Sequence, residues 1–308
     1  RHVQIAPAMS TVPPPLTPVI TPIQLPKMGG GTCAWVNRLI WNYGPTKNDD
    51  LQQVFNLCVN NGVTLFDTGD SYGTGKLNGR SESLLGKFAI TYTGENHDAL
   101  CLATKLAPYP WRLTRQSIID AANASRDRMG RLDLAQLPWS TANYAPWQEP
   151  ALLNGLCDLY EQGIIRGVGL SNFGPKRLRK MYPIFRDRQI PILTLQIQYS
   201  LLSTYPVTDL GLKETCDELG IKIIAYSPLC LGVLTGKYSD DEGTKPSYPK
   251  GLRNLLFRQL IPNAEPVVNC LQAIAKERDK TPAQIALNWC MVKGTIPIPG
   301  AKNLKQAQ

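Results

Sequence analysis

Two short stretches of the chain each deliver a charged group from an apolar run. Leu65-Phe66-Asp67 leads into Thr68-Gly69-Asp70-Ser71-Tyr72-Gly73, which sets a carboxylate at a strand end and a phenol five residues later in a glycine-bearing loop. Leu102-Ala103-Thr104-Lys105 is another apolar strand, and it ends in an ammonium. An ammonium beside a phenol lowers the phenol's pKa, and a carboxylate paired with that lysine keeps it charged and fixed. Asp67, Tyr72 and Lys105 would then act as one proton-donating unit. Taken singly they have plainer explanations, since a strand-end carboxylate caps turns and a loop tyrosine packs. A Schiff-base role for Lys105 would need a lowered pKa, which a neighbouring carboxylate opposes.

Such a unit requires a fold in which distant strands end on one face. From Met28 onward, short apolar runs alternate with helical periodicity, starting with a Gly-rich strand and turn at Gly29 to Thr32. Strands are predicted at 63–66, 100–104, 132–137, 167–170, 193–197, 221–225 and 295–298. Helices are predicted at 49–61, 114–129, 149–162, 175–185, 210–219 and 264–278, with one more from Thr281-Pro282 and a short one that Ser81 caps. A long polar loop is expected over 236–262. Eight strands alternating with helices predict an α/β protein, a (β/α)8 TIM barrel of a single domain over 28–308, in preference to an open doubly wound sheet. No G-x-G-x-x-G follows the first strand, so a Rossmann site is not expected. In a barrel, Asp67, Lys105, Asn172, Gln196, Tyr226 and Lys302 would meet at one mouth.

Residues 1–27 hold seven prolines and read as an extended proline-rich N-terminal arm, a disordered terminus or, where ordered, a segment lying along the barrel or along a protein partner. The chain has 308 residues, a net charge of +9 and 43% hydrophobic content. Its basic residues are scattered, and Lys176-Arg177-Arg179-Lys180 reads as a solvated helix face, so nucleic acid is not an expected partner. The charge suits a phosphate-bearing cofactor and leaves peripheral membrane association open. No apolar run reaches the ~18 residues of a transmembrane helix. Eight dispersed cysteines without a C-x-x-C pair read as buried free thiols in a reducing compartment. The only histidines, His2 and His97, argue against histidine or metal chemistry. The chain begins at Arg1 and has no acidic residue before Asp49, which suits a protein trimmed of a targeting peptide.

FDTGDSYG, SESLLG, LATK, GVGLSNFGPKRL, AYSPLCLGVLTGKY, TPAQIALNW and PIPGAKN occur in that order. Together they resemble the aldo-keto reductase family over about residues 28–308, and are similar to its plastid-type plant and algal branch. The resemblance implies hydride transfer between NADPH and an aldehyde or ketone, in a chloroplast stroma or at a thylakoid surface. It implies Tyr72 as the acid, Lys105 as the group lowering its pKa and Asp67 as support for the lysine. For the cofactor, it implies Ser171, Asn172 and Gln196 at the nicotinamide carboxamide and Tyr226 stacked on the ring. Gly31, Thr32, Ser227, Leu229 and Lys237 would line the cofactor's path, with Gly300, Lys302 and Gln306 near the 2′-phosphate. No metal is implied.

Two departures from the family pattern stand out. Pro138 occupies the position of the usual histidine before Trp139, and proline has no donor for a substrate carbonyl. Loss of one oxyanion donor costs other enzymes about 2.7–4 kcal/mol. The chain also stops at Gln308, before the residues that usually clamp the adenine and before the closing helices, which implies an incomplete sequence or a weakly held cofactor. A slow NADPH-dependent reductase is therefore weighed against a non-catalytic barrel serving as a structural or redox-sensing subunit of a larger assembly. Substrate choice would lie in residues 107–114, 139–149 and 236–262, where Trp111, Trp139, Tyr144 and Trp147 either line an aromatic mouth or pack their own loops.

Overall fold

In a computed structural model, residues 21–36, 43–73, 79–238 and 253–308 are described. Eight strands follow one another around a single sheet, every neighbouring pair parallel: β1 Gly29–Gly31, β2 Leu65–Asp67, β3 Cys101–Lys105, β4 Leu134–Leu137, β5 Gly167–Ser171, β6 Ile192–Gln198, β7 Lys222–Tyr226 and β8 Thr295–Pro297. The backbone N–H of Gly31 donates to Pro299 O at 3.0 Å and brings the sheet nearly to closure. The (β/α)8 barrel expected from the alternating pattern is thus the fold. Its first strand is all glycine for a steric reason. A Cβ on Gly29 would lie 2.9 Å from Leu65 O, and one on Gly31 would lie 2.9 Å from Ile298 O, so neither side of β1 has room for a side chain.

The helices that cover the barrel are α1 Asn48–Asn60, α2 Arg80–Thr91, α3 Arg115–Met129, α4 Glu149–Glu161, α5 Pro175–Arg186, α6 Tyr205–Thr208, α7 Leu212–Glu218, α8 Arg253–Glu277, α9 Pro282–Val292 and α10 Leu304–Ala307. In α1, Leu51, Val54, Phe55 and Val59 recur at helical spacing and are buried. Phe55 packs against Phe66 of β2 with ring centroids 4.6 Å apart. Helices α3 and α9 start at Thr114 and Thr281, each closed by a capping box.

Strand alternation sorts the core into two shells. Leu65, Cys101, Leu134, Ile224 and Ile296 cluster within the barrel, while Phe66, Leu102, Ala135 and Leu170 face the helices. Ile23 and Leu25 pack on the inner cluster, and Arg166 donates to Thr21 O and Pro22 O. The described end of the arm therefore lies along its own barrel; residues 1–20 fall outside the described residues.

Several local expectations are corrected. Helix α2 begins at Arg80 behind Gly79, whose φ of 64° is left-handed, and Ser81 lies inside the first turn with its hydroxyl 2.8 Å from that of Thr32. The expected helix at 210–219 spans only Leu212–Glu218, because Gly211 has a φ of 65°. Helix α8 begins at Arg253, so the predicted loop over 236–262 gives way to helix in its second part; residues 239–252 lie outside the described residues. Pro262 and Pro266 sit inside α8, which is held by Phe257, Ile261, Ala264, Val268 and Leu271 packing on Val233, Leu234 and Tyr238. All eight cysteines are free, but only Cys101, Cys157, Cys216 and Cys290 are buried; Cys58 and Cys230 are half-buried, and Cys33 and Cys270 are exposed.

Candidate active site

Asp67, Lys105, Gln136, Ser171, Gln196 and Tyr226 sit on five neighbouring strands and the one after them, each at or near its C-terminal end. Because inward positions recur every second residue, Leu65 and Cys101 in the inner cluster set Asp67 and Lys105 on the same inner face. Lys105 Nζ bonds Asp67 Oδ2 and also donates to Thr68 O at 3.2 Å. The other carboxylate oxygen, Oδ1, accepts from Gln136 Nε2 at 2.7 Å and from Gln196 Nε2 at 2.9 Å. Every lobe of this buried charge therefore has a donor.

Tyr72 is carried in by a loop zipped onto β3. The N–H of Thr68 donates to Ala103 O and that of Asp70 to Lys105 O. The Tyr72 N–H donates to Gly69 O, and its ring lies so close to Gly69 that a Cβ there would meet the ring at 3.1 Å. Lys105 Nζ is 5.3 Å from the ring centroid.

The electrostatics of the pair differ from the expected lowering of the phenol. The Lys105 charge pulls the Tyr72 pKa down, but burial, the Asp67 carboxylate and Cys33 push it up, and the balance lies above the ordinary tyrosine value. For Lys105, burial works against the ammonium; Asp67 and Tyr72 outweigh it and hold the lysine above its usual range. The unit is thus a firmly protonated acid at neutral pH.

The other expected site residues fall into three groups, with Thr32 apart from them. Ser171 is buried, and Asn172 beside it has a φ of 56°. Asn172 Nδ2 donates to Pro138 O at 3.0 Å and its Oδ1 accepts from Tyr226 Oη at 3.2 Å, joining the ends of β4, β5 and β7. Ser227 follows with a φ of 51°, and Leu229 and Lys237 flank the short 3-10 segment Cys230–Thr235. On the far side of the mouth, Trp35 Nε1 donates to Ala301 O, close to Gly300 and Lys302, and Lys302 N–H donates to Gln306 Oε1. Thr32 is fully buried, and its hydroxyl is spent on Asp67 O and Ser81, so it braces β2 and α2.

Pro138 is buried and offers the mouth only its carbonyl, which Asn172 already takes. The aromatic rim stands outside it. Trp111 and Trp147 are 66% and 71% exposed, Tyr109 stacks on Trp111 at 4.6 Å, and Trp139 Nε1 donates to Tyr144 Oη.

Sequence reasoning overlooked Gln136, Asp70, Arg112 and Cys33. Asp70 is buried two residues before Tyr72 and takes Arg112 Nη1 at 2.5 Å and the Ala107 N–H at 3.2 Å, so it ties the Tyr72 loop to the segment after β3. Burial pushes its pKa up against the pull of Arg112. The signal for Gln136 was a lone amide among the apolar residues of β4; Cys33 carried no signal beyond following the first strand.

The sequence profile described as the aldo/keto reductase family matches residues 27–308. A relative from Arabidopsis thaliana, described as a chloroplastic pyridoxal reductase, is 49% identical over 93% of this chain and 78% of its own length. The L-glyceraldehyde 3-phosphate reductase of Escherichia coli is 29% identical over 84% of this chain and 75% of its own. Among solved structures, a glycerol dehydrogenase from Gluconobacter oxydans superposes with a TM-score of 0.72 at 24% identity, covering 92% of this chain and 85% of the other. An aldo/keto reductase from Klebsiella pneumoniae, in complex with NADP and acetate, does so at 0.67 and 22%, over 92% and 83%.

Proposed function

The chain belongs to the aldo/keto reductase family, and we propose on that premise that it reduces the carbonyl group of a small aldehyde with NADPH. The observation that carries this reading is the Asp67–Lys105–Tyr72 unit at the mouth of the barrel. When a hydride reaches a carbonyl carbon, the oxygen gains negative charge and needs a proton as it forms. Tyr72 gives up its phenolic proton to that oxygen, Lys105 stabilises the phenolate left behind, and Asp67 balances the lysine.

NADPH supplies the hydride when bound, and the donor set at the mouth fits such a group. Gln196 keeps its Oε1 and Ser171 its hydroxyl proton for a carboxamide, Asn172 stands beside them with its amide shared between Pro138 O and Tyr226 Oη, and Tyr226 offers a ring face. Ser227, Leu229, Lys237, Gly31, Gly300, Lys302 and Gln306 continue along neighbouring strand ends, with lysines for phosphate. Support for the cofactor comes from the family and from the NADP-bound Klebsiella relative. Pyridoxal is the substrate we favour, after the Arabidopsis relative and the exposed aromatics around the mouth, and a plastid is the compartment that relative's description supports.

Pro138 supports one alternative, a barrel that holds its cofactor without turning over. NADPH fluorescence titration followed by addition of pyridoxal or a reactive aromatic aldehyde separates the two readings. NADPH consumption that falls by about 100-fold or more in Tyr72→Phe is the expected result. Binding with no consumption selects the alternative, and no binding overturns both.

A further inference from the structure

We infer that Gln136 is the positioning residue of the proton-delivering unit, holding Asp67 through Oδ1 so that Oδ2 is presented to Lys105. The inference rests on the reductase reading and goes beyond it, since the resemblance assigns Gln136 no role. Gln136 is fully buried on β4, paired in register with Lys105 on β3 and with Gly169 on β5. Its Nε2 is 2.7 Å from Asp67 Oδ1, and its Oε1 accepts from Gln196 Nε2 at 3.2 Å. The two amides therefore fix each other as well as the carboxylate.

The barrel is built to admit this side chain. A Cβ on Gly169 would lie 2.8 Å from Gln136 Cγ and 2.6 Å from Thr194 Oγ1, so only glycine at 169 lets Gln136 cross to Asp67. An isolated carboxylate paired only with a flexible lysine has many arrangements. Two rigid amide donors on one oxygen leave a single one. The charged and titratable groups that face this cluster are Lys105 and Cys101 on β3, Tyr72 on its loop, Cys33 after β1 and Tyr226 at the end of β7.

The test compares the parent, Gln136→Met and Gln136→Glu in NADPH-dependent reduction of an aromatic aldehyde across pH, with melting curves and NADPH titrations alongside. Gln136→Met keeps length and loses the donor, so kcat should fall about ten- to a hundredfold while NADPH affinity, touched only through Gln196, falls by clearly less. Gln136→Glu can donate to Asp67 only when a proton is shared between the two carboxylates, so its rate should recover as pH falls, which the parent's does not. Parent-like turnover in Gln136→Met overturns the inference, as does a loss matched by NADPH affinity with an unmoved pH profile. If the parent reduces no aldehyde, the reductase reading has failed instead. The positioning contact is then read from ultraviolet titration of Tyr72 against Tyr72→Phe. The added carboxylate of Gln136→Glu must move the phenol's titration to higher pH, and an unmoved phenol overturns the inference.

Discussion

At the scale of single residues, the chemistry is set by which groups keep their protons. Tyr72 and Lys105 both titrate above their ordinary values, so the donating form persists through neutral pH and beyond the usual tyrosine range. Aldehyde reduction is therefore expected to hold its rate from neutral into alkaline solution and to fall only above pH ~10, while alcohol oxidation, which needs the phenolate, rises over that same span. No histidine stands at the described mouth, His97 being a surface residue beside Asp98, so the kcat profile should show no step near the ~6.5 of an imidazole. A step there would contradict the assignment. Pro138→His restores a donor at the end of β4 while leaving the backbone carbonyl that Asn172 uses. It should raise kcat for an aldehyde by roughly ten- to a thousandfold, measured as NADPH consumption at saturating cofactor. An unchanged rate would mean that the carbonyl is oriented by another group.

At the scale of elements, one buried carboxylate ties three of them together. Glu82 of α2 accepts from Thr104 of β3 at 2.5 Å and from Arg128 of α3 at 2.7 Å. Gly79 is glycine because a Cβ would fall 2.2 Å from Arg128 Nε, besides its left-handed φ. Arg128→Met leaves Glu82 buried without its counter-charge and should lower stability by roughly 3 kcal/mol, much of it recovered by adding Glu82→Gln; melting curves of the two variants decide it. Burial raises the Glu82 pKa despite its donors, so the native state binds its proton more tightly than the unfolded chain does. Glu82 thus adds stability as pH falls from the raised value towards the ordinary 4.5, and loses it as pH rises through the raised value. Glu82→Gln should remove that slope from the melting temperature. Little of this was legible beforehand. SESLLG read as a capped amphipathic helix because serine is a common N-cap, yet the start is set by Gly79 and by Arg128, which reaches Glu82 across 46 residues. Helix α8 was cut short for the matching reason, since Pro262 is a local signal and the packing on Val233 and Tyr238 is not.

The barrel as a whole was legible because periodicity and order survive in a linear string. Eight apolar runs alternating with helical ones leave few architectures, and the strand-end positions of Asp67 and Lys105 then place both at one mouth. Partners across the barrel were not legible. Gln136 meets Asp67 over a separation of 69 residues, through space that exists only because residue 169 is glycine. The same logic governs closure. The run Gly29-Gly30-Gly31 was read as a turn-forming strand, but its role is to admit β2 on one side and the end of β8 on the other. Gly31→Ala sets a methyl 2.9 Å from Ile298 O, where only backbone can yield, so Pro299 and its acceptor must move away from the Gly31 N–H. Such overpacking costs about 1–3 kcal/mol, which for a chain of this length lowers the melting temperature by roughly 1.5 °C per kcal/mol. The displacement falls on the segment holding Gly300, Lys302 and Gln306, on the β8 side of β1, whereas Lys105 and Gln136 stand on β3 and β4 on its other side. The KM for NADPH should therefore rise while the KM for the aldehyde stays within about twofold. Equal rises in both would show that closure between β1 and β8 supports the whole mouth and not its cofactor side alone.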